Sequence, residues 1–249
     1  MNILLIHKAE IVNDRIIITG DKLKHLRKIL KVQIGDTVKI GIINEKIGSG
    51  TVEALSKEGA LLHVQVEKPP PERLPVHLIL AIPRPIMLKR VLAQAASMGI
   101  EQISLLRSKR VEKSFLDSSI IEQDNYTPFL LKGIEQSVDT RTPEVQIHRR
   151  FKSFIEQIAA DSSSRNLRLI AHPHGTAYLR DTKTEGPEQR IDIAIGPEGG
   201  WIDYEVEQFT NLGFIPFTMG ARILRVDTAV PAILSQLELL RQQSHFKNS

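Results

Sequence analysis

From Val76 onward, apolar positions follow two alternating patterns. Near-continuous apolar runs at Val76–Ile82, Leu167–His172, Ile191–Gly196 and Phe214–Met219, and a further strand-like stretch at Ile100–Leu106, are separated by stretches where apolar residues recur every three or four positions. The runs suit strands buried on both faces, and the wider spacing suits helices that cover them. The first helix is predicted from about Pro85 to Met98, with Leu88, Val91, Leu92 and Ala95 on one stripe and Gly99 at its end. Others are predicted near Thr127–Val138 and Phe151–Ala160. Asp203 is placed as the cap of a helix ending at Gly213, and Ala229, Ile233, Leu237 and Leu240 form the stripe of the last one. Thr228 is its predicted N-cap, which puts Pro231 at the third helical position, where its missing N–H costs nothing. This alternation argues for an α/β domain with a parallel sheet covered on both faces.

The first 68 residues have a different texture. Short strands are predicted at Ile16–Thr19, Thr37–Ile43, Gly50–Leu55 and Ala60–Val66, with turns at Gly35-Asp36, Gly48-Ser49-Gly50 and Glu58-Gly59. One helix, Asp21 to Lys31, interrupts them. Pro69-Pro70-Pro71-Glu72 continues neither helix nor central strand and acts as a stiff spacer. Residues 1–68 are therefore expected to form a small, mostly β domain, 69–74 a linker and 75–249 the α/β domain. Ser162-Ser163-Ser164 is expected to be a short loop.

Composition removes several chemistries. With no cysteine there is no disulfide, thiolate zinc site, iron–sulfur cluster or cysteine nucleophile, and a reducing compartment fits. The 33 Lys+Arg against 29 Asp+Glu leave a net charge of +4, which permits a polyanionic partner without requiring one. Met1–Glu10 holds an apolar run of only four residues, Ile3–Ile6, and no window approaches the roughly 20 apolar residues of a membrane span. A soluble, cytoplasmic protein without membrane contact is expected.

The strongest local signal is Gly196-Pro197-Glu198-Gly199-Gly200, a glycine-rich turn after a buried strand. Ligands of open parallel sheets bind at the carboxyl ends of the strands, and glycine lets backbone approach them. The spacing matches neither nucleotide-phosphate loop, and Glu198 would repel phosphate; it suits a ligand offering hydroxyls or positive charge. A plain tight turn is the alternative. Met219-Gly220-Ala221-Arg222-Ile223-Leu224-Arg225-Val226-Asp227-Thr228 is a second strand-to-helix turn, in which Arg225 faces a ligand or forms an ion pair with Asp227. His172 and His174 end a third strand; two histidines make a poor zinc site, and a third loop beside the same pocket is preferred, with no metal. In the first domain Lys22, Lys24, His25, Arg27, Lys28 and Lys31 surround Leu23, Leu26 and Leu30. That is either a footprint for a phosphate backbone or a solvated basic face. Arg84, Lys89, Arg90, Arg107, Lys109 and Arg110 add positive charge to the second. Only 5% of residues are aromatic, which favours recognition of RNA shape over base stacking on aromatic platforms.

Ile195-Gly-Pro-Glu-Gly-Gly200 followed by Met219-Gly-Ala-Arg-Ile-Leu-Arg-Val-Asp-Thr-Ala229 resembles the paired motifs of the ribosomal RNA small subunit methyltransferase E family. Glu135-Gln136-Ser137 with Pro143 also matches a family segment. The resemblance covers the whole chain. It implies an N-terminal PUA-like β-barrel that binds RNA and a C-terminal SPOUT-type parallel sheet with a deep trefoil knot. It further implies a homodimer that methylates N3 of a uridine in small-subunit (16S) ribosomal RNA, with S-adenosylmethionine as cofactor. Carried over residue by residue, the cofactor loops are Gly196, Glu198, Gly199 and Gly200, then Met219, Gly220, Ile223, Leu224 and Thr228, with His172 beside them. Arg225 is the candidate for stabilising charge on the base, and Glu198, Asp227 or His172 removes its proton. Lys22, Lys24, Arg27, Lys28, Lys31 and Arg84 are the expected RNA contacts. The chain departs from the family pattern at Gln94 and Ser97, at Asp139, at Lys31 and at Asp227, where the family usually has Glu. The cofactor motifs are better kept than the segments expected near RNA, and the departures keep two rivals open: a SPOUT enzyme with another RNA target, and an inactive RNA- or ribosome-binding protein of the same fold.

Overall fold

In a computed structural model the chain forms two compact units. Residues 2–160, 166–186 and 188–247 are described, and the expected loop at Ser162–Ser164 lies outside them. One unit comprises Met1–Glu72 and Leu131–Thr142, the other Arg73–Leu130 and Pro143–Ser249.

The first unit contains β1 (Leu4–Ile6), β2 (Arg15–Ile18), α1 (Gly20–His25), β3 (Thr37–Ile42), β4 (Ile47–Leu55) and β5 (Ala60–Lys68). They form a curled five-stranded sheet in the order β1-β3-β4-β5-β2, with β1 parallel to β3 and the other pairs antiparallel. Period-two alternation is clear in β2, where Ile16 and Ile18 are buried and Arg15 and Ile17 exposed. Ile6, Leu26, Ile40 and Leu62 join the core of this sheet. The predicted helix over Asp21–Lys31 is shorter. After α1 a π-helical turn, Leu26–Leu30, drops Leu26 into the core and ends at Lys31 in the left-handed region. Gly48-Ser49-Gly50 is not a turn but part of β4. A Cβ on Gly48 would overlap the Gln65 carbonyl, and one on Gly50 the Ile40 side chain, so glycine serves close strand approach at a register shift. The turn lies earlier, at Asn44, whose φ is 61°.

Leu131–Thr142, expected within the α/β domain, belongs to the first unit instead. The reason is hydrogen bonding. The Asn2 N–H donates to the Glu135 carbonyl (3.1 Å), the Asn44 N–H to that of Thr140 (2.7 Å), and the Thr140 hydroxyl to that of Glu45 (2.5 Å).

The second unit contains β6 (Leu74–Ala81), α2 (Pro85–Ser97), β7 (Ile100–Leu106), α3 (Lys113–Leu116), the start of α4 (Gln123–Ser137), β8 (Glu144–His148) and α5 (Phe151–Ala160). Then come β9 (Leu167–Ala171), β10 (Ile191–Ile195), α6 (Asp203–Asn211), β11 (Ile215–Phe217) and α7 (Val226–Lys247). Every strand pair is parallel, in the order β11-β9-β10-β6-β7-β8. The unpredicted β8 is an edge strand of alternating polar and apolar residues, so it lacks the continuous apolar run. Two predicted caps are corrected. Asp203 is the first residue of α6, and the carboxylate of Glu205 accepts the N–H of Ile202, the capping residue (3.1 Å). The last helix, α7, begins at Val226, ahead of Thr228. Pro231 is therefore its sixth residue and lies inside it.

One face of the sheet carries a buried polar chain. Asp192 Oδ1 meets His77 Nδ1 at 3.2 Å, His77 Nε2 meets Ser104 Oγ at 2.8 Å, and His148 Nε2 reaches the same hydroxyl at 3.2 Å. Asn166 donates to Asp192 Oδ2 (3.1 Å), and the guanidinium groups of Arg168 and Arg190 each stand 3.5 Å from that carboxylate. Burial raises the Asp192 pKa. The His77 and Asn166 hydrogen bonds and the Arg190 charge outweigh it, and the net shift is downward. Ser104, His77 and Asp192 are the residue types of a hydrolase triad, yet Ser104 is 1% exposed, so the chain braces the sheet and meets no substrate.

Candidate functional site

Leu80 of β6, Ile195 of β10, Ala171 of β9 and Phe217 of β11 are in register, so the loops that follow them emerge side by side. This is the carboxyl edge at which a parallel sheet binds ligands.

The loop after β10 is the glycine turn. Its Gly200 N–H donates to the Pro197 carbonyl (2.8 Å), and Gly200 has a φ of 73° that favours glycine. A Cβ on Gly196 would crowd Trp201, 3.2 Å from its backbone and indole nitrogens. Neighbouring loops hold the turn. The Arg84 N–H donates to Glu198 Oε1 (3.1 Å), and Arg110 donates from Nη1 to the carbonyls of Gly199 (2.5 Å) and Trp201 (3.4 Å). The buried Glu205 accepts the Lys109 N–H (2.7 Å) as well as that of Ile202. Sequence reasoning counted Arg110 only as charge; its guanidinium in fact sets the turn.

The loops after β9 and β11 are laced together. The His172 N–H donates to Phe217 and the Thr218 N–H to Ala177, both at 2.9 Å. Gly175 packs on the Phe217 backbone so closely that a Cβ would clash. Gly220, with φ 112°, turns the chain and donates its N–H to the Thr218 hydroxyl (3.2 Å). Met219 and Leu224 are half-buried, and Ile223 is 84% exposed. The alternative reading of an Arg225–Asp227 ion pair is not what the loop shows. Asp227 pairs with Arg90 (3.3 Å), and the exposed Arg225 side chain makes no hydrogen bond among the described residues. Burial, and then His174, push the His172 pKa below its ordinary 6.5 against the opposing upward pull of Asp203, and this downward shift favours the neutral ring at pH 7. Among the described residues no group of three or more His, Asp or Glu side chains is placed to hold a metal.

The predicted RNA contacts divide between the units: Arg84 lies in the second, the others in the first. Lys22 donates from Nζ to the Leu5 carbonyl (2.6 Å) and Lys24 pairs with Asp21 (2.7 Å). Arg27, Lys28 and Lys31 are exposed, without a hydrogen bond or ion pair among the described residues.

A family model described as an RNA methyltransferase domain matches residues 70–238, and one described as an RNA methyltransferase PUA domain matches 18–65. The ribosomal RNA small subunit methyltransferase E of Treponema pallidum is 32% identical, covering 93% of this chain and 88% of its own. The chain belongs to the ribosomal RNA small subunit methyltransferase E family. A Borreliella burgdorferi family member, ribosomal RNA small subunit methyltransferase E 1, is 25% identical over 93% of this chain and 95% of its own. Among solved structures, the Neisseria gonorrhoeae ribosomal RNA small subunit methyltransferase E bound to S-adenosyl methionine superposes with a TM-score of 0.78. It is 22% identical and covers 96% of this chain and 98% of that one. A probable rRNA-methyltransferase from Porphyromonas gingivalis gives 0.74 at 20% identity, over 97% and 99%. These likenesses establish the SPOUT fold, and the curled N-terminal sheet fits a PUA-like domain. Among the described residues no helix is long and apolar enough to cross a membrane.

Proposed function

We propose that this chain transfers a methyl group from S-adenosylmethionine to N3 of a uridine in small-subunit ribosomal RNA, in the cytoplasm and as a homodimer. Membership of the methyltransferase E family, together with three adjoining glycine-containing loops at one sheet edge, carries the reading. The residues fit the cofactor. Gly196 and Gly200 allow backbone approach, Met219 and Leu224 offer half-buried apolar surface, and the carboxylate of Glu198 suits a positive ligand. When bound, S-adenosylmethionine supplies an electrophilic methyl group on a sulfonium. Glu198 keeps the turn in place through the Arg84 N–H and presents negative charge to that sulfonium. Arg225, whose side chain makes no hydrogen bond among the described residues, stabilises the charge that spreads to the base oxygens once the ring proton leaves. Asp227 is held by Arg90 and is the poorer base, leaving neutral His172 and Glu198 as proton acceptors.

A trefoil knot through the β9–α7 segment belongs to the same proposal. For the dimer, the exposed Ile86 at the start of α2, Ile223 in the loop and Leu239 on α7 supply apolar surface in the second unit. Arg110→Ala is expected to weaken S-adenosylmethionine binding about tenfold by calorimetry, because the carbonyls of Gly199 and Trp201 lose their common donor. Unchanged affinity would remove Arg110 from the site. The reaction itself is tested with small ribosomal subunits lacking the mark, labelled S-adenosylmethionine and mass spectrometry of the nucleosides. Three-methyluridine is the expected product. A different methylated nucleoside would keep the enzyme and change its target. No product from any RNA would turn the assignment to an RNA-binding protein.

A further inference from the structure

The first unit contains a feature that the carboxyl-edge site does not use. A cavity of about 670 Å³ opens beside the π-helical turn, within the range of about 300–1,000 Å³ found for ligand pockets. Leu26, Leu30, Val32 and Val138 give it apolar walls; His25, Asp36 and Lys39 give it polar ones. We propose that it receives one unstacked nucleotide of the RNA substrate, an inference that rests on the RNA-modifying reading above.

Three observations converge on this cavity. The first is backbone strain at its wall. Val138 has a φ of 59°, in the left-handed region where a β-branched residue is a genuine outlier. It follows the last residue of α4, and the next N–H, that of Asp139, returns to the Ile134 carbonyl (3.0 Å). Glycine ordinarily occupies that position. Valine there is unfavourable to the fold, so its side chain serves something else, and it lines the cavity. The second observation is a buried imidazole nitrogen, His25 Nε2, with no hydrogen-bond partner among the described residues. A small ring movement toward a ligand in the adjoining space would satisfy it. The third is charge. Arg27, Lys28 and Lys31 stand exposed on the turn that supplies Leu26 and Leu30, and Lys39 lines the cavity itself.

This combination selects a nucleotide over an apolar peptide. Aliphatic walls sandwich a base by its flat faces, as base-extruding enzymes do. The Asp36 carboxylate, held by the Gln33 N–H (2.7 Å), accepts a base or ribose donor and turns phosphate away from the interior. Phosphates on either side then meet the cations at the rim. Leu30 is 49% exposed, so this wall is open to an incoming strand.

The test uses the full chain and unmethylated small ribosomal subunits, with binding measured at fixed salt. Val138→Gly relieves the left-handed backbone and removes part of a wall. It is expected to keep or raise the melting temperature and yet weaken subunit binding about tenfold, a loss that a purely structural role would not produce. Leu30→Glu, at a half-exposed position, is expected to weaken binding at least as much while leaving the S-adenosylmethionine dissociation constant unchanged. Ultraviolet crosslinking should attach a single nucleotide to the peptide carrying Leu30 and Val32. Wild-type binding by both variants, while the wild-type chain still methylates, would overturn the pocket and spare the methyltransferase reading. Crosslinks from this peptide to a ribosomal protein instead of RNA would overturn it in favour of a protein ligand. Absence of methyl transfer by the wild-type chain, with the nucleotide crosslink present, would fault the catalytic reading alone.

Discussion

Arg225→Ala is expected to lower kcat about 10²- to 10³-fold, with the Michaelis constant for S-adenosylmethionine within about twofold of wild type. The size follows from the character of the proposed step. Removing a ring proton and methylating the nitrogen places charge on the base oxygens only as the reaction proceeds, so a donor aimed there acts on the transition state more than on binding. The exposed Arg225 side chain makes no hydrogen bond among the described residues, so truncating it should change stability by no more than about 0.5 kcal/mol. Arg225→Lys keeps the charge but loses the planar fork and should fall between the two. Steady-state kinetics on unmodified subunits, with melting temperatures beside them, read all of this. Full turnover by the alanine variant would sink the role given to Arg225.

The largest stability effect is expected at Asp192. In Asp192→Asn the largely buried Arg168 guanidinium loses its carboxylate, and breaking such a buried pair costs about 3–5 kcal/mol, while the Arg190 pair, more than a third exposed, is screened by water and adds little. For a chain of this size that lowers the melting temperature by about 10 °C. The pH dependence has a definite sign. The folded Asp192 pKa lies below its ordinary 3.8. Its contribution is therefore fully present above that value and fades as pH falls through the folded one. The asparagine variant should lack this part of the acid transition while staying less stable at neutral pH. Turnover at 25 °C should change little, because Asp192 precedes Gly196 by four strand residues, about 13 Å along β10. Thermal melts from pH 2 to 7 with both proteins decide it. Equal stability at neutral pH would mean that the network contributes nothing net.

Near-continuous apolar runs made β6, β9 and β10 readable, and a largely apolar stretch β7, because strands buried on both faces carry few polar residues. The edge strand β8 escaped the same rule: it is partly exposed, and its alternation of Glu144, Gln146 and His148 with apolar residues spans only five positions. Glycines misled in both directions. At Gly48 and Gly50 the missing side chain serves strand contact, a pairing distant in sequence that local turn rules cannot register. At Val138 a left-handed residue carries no glycine at all. In the site, the loops were legible because glycine, proline and charge cluster there. The clamp from Arg110 was not, since its partners are backbone carbonyls 89 and 91 positions away. Residue type alone picks Asp203 and Thr228 as caps; at α6 the start differs by one residue, with the Glu205 carboxylate taking the Ile202 N–H, and at α7 by three.

The inclusion of Leu131–Thr142 in the first unit has a consequence for synthesis on the ribosome. When Glu72 emerges, five strands are available, but the partners of Asn2, Asn44 and Glu45 have not yet been made. At about 5–20 residues per second, the missing segment follows several seconds later, after β6 and β7 have already left the exit tunnel. The N-terminal sheet must therefore wait, incomplete, while the second unit begins to form. Completion of one fold thus becomes contingent on the other, and a nascent chain arrested between them would expose an unfinished N-terminal sheet.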